Sequence, residues 1–164
     1  MPNWNDVLRE IERTDPVEGQ SSFDVVRRKY LRELSLHTKR HAIVYYSGWM
    51  LNPHNAAVQV NDSDMSGFML SCHGVDPERG LDLILHTPGG SPFAADAIVN
   101  YLRKIYGNNI RAIVPQMAMS AGTMIAMACR EILMAKHSNL GPIDPSLNGV
   151  PAVALKTKFN EVYN

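Results

Sequence analysis

The sequence predicts an α/β fold with a mainly parallel sheet, preceded by N-terminal helices. Three observations predict it. Short β-branched runs alternate with segments whose apolar residues recur at helical spacing. Successive runs are separated by enough chain for a helical crossover, which parallel strands require. The 164 residues are 45% hydrophobic and 20% charged, a composition suited to one compact soluble domain. Lys+Arg and Asp+Glu number 16 each, so no net field favours nucleic acid or an acidic membrane, and neither is expected as a partner. Two cysteines, Cys72 and Cys129, are too few for a disulfide framework. No C-x-x-C pair or H-E-x-x-H helix offers a zinc site. A reduced, cytoplasmic protein without metal or other cofactor is expected.

Taken in order, residues 1–41 read as a helical extension. Trp4, Val7, Leu8 and Ile11 share one face of a first helix, and residues 14–21 form a polar connector. Ser22 opens a second helix with Phe23, Val26, Tyr30, Leu31 and Leu34 on one face. Both helices are expected to dock on the core. The basic residues in this extension are balanced by acidic ones, and the acidic start (Asp6, Glu10, Glu12) is unlike a signal peptide. Residues 42–164 read as the core domain. A strand over 42–46 is followed by a helix over 62–73 with Met65, Phe68, Met69 and Cys72 inward, and then by a strand over 81–85. Ser91 caps the next helix, Pro92 takes its first position, and Ala94, Ile98, Leu102 and Ile105 form its stripe before Gly107 and Asn108 end it. A strand over 110–114, a helix over 121–130 and a strand over 132–135 complete the alternation. Residues 112–129 carry no charge, yet Pro115, Gln116, Ser120, Gly122 and Thr123 suit a buried strand, turn and helix better than a membrane span.

Two strand-to-helix junctions stand out, because open α/β sheets gather functional groups where strands end. After the 110–114 strand comes Ala118-Met119-Ser120-Ala121-Gly122-Thr123. A serine hydroxyl there sits at the positive end of a helix, small neighbours admit a substrate backbone, and the Ala121 N–H can face a developing oxyanion. The same residues also fit a plain N-cap, and the spelling lacks the first glycine of the G-x-S-x-G elbow. After the 81–85 strand comes His86-Thr87-Pro88-Gly89-Gly90-Ser91. Paired glycines there can turn N–H groups outward as an oxyanion hole, or serve only as a turn.

Leu81 to Gly90 (L-D-L-I-L-H-T-P-G-G), Arg111 to Met124 (R-A-I-V-P-Q-M-A-M-S-A-G-T-M) and Ser138 to Pro145 (S-N-L-G-P-I-D-P) together resemble the serine dehydrogenase proteinase family. That family is grouped with the Clp protease subunits and signal peptide peptidase A in the Clp protease/crotonase-like fold. The resemblance covers roughly residues 41–151. It implies a serine peptidase with Ser120 as nucleophile, and Ala121 and Gly90 as oxyanion donors. It further implies a peptide or protein substrate and a homo-oligomer. Members of the family are longer than this chain, so the core is expected to be truncated at its C-terminus.

The general base stays open. Clp-type peptidases place a histidine after the serine, where this chain reads Gly141-Pro142-Ile143-Asp144-Pro145. The candidates are His137 and, by analogy with the lysine of signal peptide peptidase A, Lys156 or Lys158 on an amphipathic segment over 152–163. A lysine would need its pKa depressed by burial or a neighbouring cation. Asp144 is read as holding a loop, His86 as structural, and Met117, Met119, Met124, Met127 and Met134 as pliable packing around Ser120. Two other readings remain: a silent scaffold or adaptor of the same fold that lost its base, and a crotonase-type acyl-thioester enzyme using the same N–H donors.

Overall fold

The structure, a computed structural model, describes residues 3–52, 55–144, 146–147, 150–151 and 157. Two helices lead the chain, α1 (Trp4–Arg13) and α2 (Ser22–Thr38). Each begins with a capping box. Asn3 Oδ1 accepts from Asp6 N at 3.0 Å while Asp6 accepts from Asn3 N, and Ser21 and Asp24 repeat the exchange. Glu10 joins the helices, accepting from Lys29 Nζ at 2.7 Å and Tyr30 OH at 2.8 Å.

The sheet is parallel and ordered β1-β2-β3-β5, from β1 (His41–Tyr46), β2 (Leu81–His86), β3 (Ile110–Val114) and, beyond a two-residue β4 (Met117–Ala118), β5 (Glu131–Met134). The helices α3 (Asp64–Ser71), α4 (Pro92–Tyr106) and α5 (Ala121–Met127) are its crossovers. The central strand β2 turns Leu81, Leu83 and Leu85 into the core, against Ile98 and Leu102 of α4 and Ile125 of α5, all of them fully buried. Fully burying one such side chain contributes about 1.5–3 kcal/mol. At the N-terminal end of the sheet, Asp82 is wholly buried and takes two guanidinium groups. Arg40 Nε lies 2.8 Å away, and Arg111 binds in bidentate fashion at 3.0 and 2.9 Å. Arg40 also donates to Asn109 Oδ1, so the exit of α2 is tied to β2 and to the residue before β3.

Among the described residues there are also two short pairs: β4 runs parallel to β6 (Asn139–Leu140), and β7 (Ser146–Leu147) antiparallel to β8 (Val150–Pro151). The expected amphipathic segment over 152–163 lies outside the described residues, Thr157 excepted.

The α/β architecture and parallel sheet are as expected, with four corrections. Met69 is exposed, because α3 is only eight residues long and its inward stripe is Met65, Phe68 and Cys72. Trp4 and Phe23 are 71% and 60% exposed. Accordingly α1 buries none of its residues fully and α2 only Val26. The last core helix stops at Met127, three residues early, with Ala128 as its C-cap. The paired segments Met117–Ala118 and Asn139–Leu140 are too short to show a period in sequence. The charge-free stretch over 112–129 divides among β3, β4 and α5. No described helix is long and apolar enough to cross a membrane.

Candidate active site

The two junctions meet at the C-terminal end of the sheet. Thr87, fully buried, continues β2 and clasps β4: its N–H donates to Met117 O at 3.2 Å, and Met119 N donates to Thr87 O at 3.0 Å. Its hydroxyl accepts from Gly89 N at 3.1 Å, bending the chain into the glycine turn. Gly89 has φ +96°, and a Cβ there would stand 2.5 Å from Met119 O and 2.7 Å from Ser120 Cβ. The absent side chain is therefore what lets the junctions touch. On the other flank Val60 N donates to Gly89 O and Ser91 N to Val60 O, at 2.9 and 2.8 Å. Because strand residues alternate direction, the Gly90 N–H turns away from Val60. It meets no acceptor among the described residues.

Ser120 is one of two non-glycine residues with positive φ among those described, at φ +49° and ψ −116°. Such backbone costs on the order of 1–3 kcal/mol and persists only where its surroundings impose it. Here Gly122 N closes a tight turn on Met119 O at 2.8 Å, while Gly122 lies so close to the Thr87 methyl that no side chain fits. Ser120 holds the N-cap position of α5, yet its side chain makes no capping bond and hydrogen-bonds to no described residue. The N-cap explanation therefore does not account for the serine. Its neighbour Ala121 is buried, and the Ala121 N–H has no acceptor among the described residues. A serine hydroxyl and nearby backbone N–H groups that meet no partner among the described residues have the chemistry to attack a carbonyl and to hold the oxyanion that forms.

The remaining candidates fare differently. His137 is exposed in the turn between β5 and β6, and its ring hydrogen-bonds to no described residue. It is not joined to Ser120. Lys156 and Lys158 lie outside the described residues. His86 is half-buried at the end of β2, and Asp144 is exposed. Met117, Met119 and Met124 are half-buried around the junction, whereas Met127 and Met134 are exposed. A groove of about 270 Å³ lies between β1 and α3. None of the junction residues lines it, and its Asp64 already accepts from Tyr45 OH and Asn61 N. Sequence reasoning missed Val60, Thr87 and Thr123. Only the threonines left a trace, as hydroxyls beside each glycine-bearing turn.

Comparison with known proteins adds three findings. The model of a family described as "ClpP-like SDH-type serine proteinase" matches residues 20–161. The uncharacterized protein MJ0137 of Methanocaldococcus jannaschii is 36% identical over 138 residues, 80% of this chain and 46% of its own length. The uncharacterized protein MJ1495 of the same organism is 40% identical over 75 residues, 46% of this chain and 25% of its own. The chain thus spans under half the length of these curated relatives.

Proposed function

The chain belongs to the ClpP-like SDH-type serine proteinase family, and from that premise we propose that it cleaves peptide bonds by acyl transfer through Ser120. The observation that carries this reading is the Ser120 hydroxyl on a strained turn, which, like the N–H groups of Ala121 and Gly90, meets no hydrogen-bond partner among the described residues. Ser120 Oγ attacks the carbonyl carbon of a peptide or protein substrate, and its proton passes to a base. The carbonyl oxygen becomes an oxyanion between the two N–H donors. Collapse expels the amine, which takes up the proton, and leaves an acyl-enzyme; water then releases the acid and restores the serine. Each oxyanion donor is worth about 3 kcal/mol in the transition state. We assign the base to Lys156, Lys158 or His137. The exposed apolar residues Trp4 and Phe23 on the helical extension suit assembly into a homo-oligomer.

A fluorophosphonate probe tests the nucleophile. Labelling of the wild-type protein that disappears in Ser120→Ala is expected. A folded protein that takes no label would favour the silent scaffold, consistent with the lack of any described base bonded to Ser120. Labelling that survives Ser120→Ala would move the nucleophile elsewhere.

A further inference from the structure

Resting on the reading of Ser120 as nucleophile, we infer that Thr123 is a positioning residue whose hydroxyl locks the Gly141–Asp144 segment onto the Ser120 turn. Thr123 lies in the first turn of α5 and is 4% exposed. Its Oγ1 is 2.7 Å from Ala118 O, 3.0 Å from Gly141 O and 3.1 Å from Gly141 N. A hydroxyl has one proton to donate and lone pairs to accept with. It donates to the nearer carbonyl, Ala118 O, and accepts the Gly141 N–H. Gly141 N also reaches Ala118 O at 3.1 Å.

Three pieces of chain therefore converge on one buried oxygen. They are the end of β4, two residues before Ser120; the first turn of α5, which carries the Ala121 N–H; and the exit of β6. The closeness is built in, because Gly141 packs so tightly on the Met119 side chain that a Cβ would overlap Sδ. At the third position of α5 the Thr123 hydroxyl bonds none of the helix's own N–H groups; its partners are Ala118 and Gly141. A valine of the same shape would fill the space but leave Gly141 N–H with Ala118 O alone and remove the bond that ties α5 to both strands. Displacement of a nucleophile turn by about 1 Å can cost about 10²-fold in rate. The hydroxyl is thus a control on the reactivity of Ser120 without touching substrate.

The test compares wild type, Thr123→Val and Thr123→Ser in three measurements: fluorophosphonate labelling rate, amide exchange of a peptide covering residues 139–144, and thermal midpoint. Thr123→Val is expected to label at least about tenfold more slowly and to exchange Gly141 faster, with Thr123→Ser restoring both at a comparable midpoint. Wild-type labelling and exchange in Thr123→Val would overturn the inference. So would failure of Thr123→Ser to restore them, which would assign the role to the methyl group. Should the wild type take no label, the peptidase reading fails by itself, and exchange at Gly141 still decides the clamp. Thr123→Ala replaces the valine variant if that does not fold.

Discussion

Gly89 concentrates the residue-scale argument, since its φ of +96° and the 2.7 Å approach to Ser120 Cβ leave no place for a side chain. Gly89→Ala is expected to lower stability by about 2–3 kcal/mol and to remove probe labelling. Urea denaturation read beside labelling checks it, with Gly48→Ala, which meets nothing within 4 Å, as the neutral control. The paired glycines were legible in sequence as a turn able to present N–H groups. Nothing in the sequence says that Gly89 lies against Ser120, because they are 31 positions apart. Nor could a string of residues reveal that Ser120 holds the cap position with an idle hydroxyl; that depends on the turn closed by Gly122 and packed on Thr87.

At the scale of elements, strands and helices with a full period were readable, and pairs made of two residues were not. The same difference separates α4, whose cap and stripe stand as expected, from β4 and β6, which exist only because Thr87 and Gly141 reach them. Two predictions belong at this scale. Asp82→Asn leaves Arg40 and Arg111 facing a neutral group in a wholly buried position, and it is expected to cost about 3–5 kcal/mol. A chemical denaturation midpoint checks this, and an unchanged midpoint would mean that the pair of arginines is satisfied elsewhere. Gly67 sits inside α3, exposed and with nothing within 4 Å of an added Cβ. Gly67→Ala is expected to raise stability by about 0.5–1 kcal/mol through helix propensity, and the same measurement tests the sign.

For the whole molecule the half-buried Cys129 thiol predicts an alkaline limit. Burial, opposed by nearby Arg103, pushes Cys129 from an ordinary 9.0 up to about 11, and burial also raises Cys72 and the phenols of Tyr45 and Tyr106. Above pH 9 the unfolded thiol loses its proton while the folded one keeps it. The folded state then binds more protons, and stability falls as pH rises from 9 through 11, by up to about 1.4 kcal/mol per unit for this group. Urea midpoints flat across that window would refute the burial argument. Assembly is also a property at this scale. A solution mass above the 18.3 kDa of one chain is expected from light scattering, and a monomer at all concentrations would remove the proposed role of Trp4 and Phe23.

The sequence by itself determined the alternation of strand and helix, the parallel sheet, the caps at Ser91 and Gly107, and the two junctions in which serine and glycines stand. Those features are local, governed by period, turn chemistry and propensity within a few residues. Only the tertiary structure decided that Val60 and Thr87 hold the glycine turn while Gly141 holds the Ser120 turn, that Arg40 reaches Asp82 across 42 positions, and that Trp4, Phe23 and Met69 remain outside. Each of these depends on which distant surface arrives first at a given face, a competition of packing and hydrogen bonding between segments that no local pattern contains.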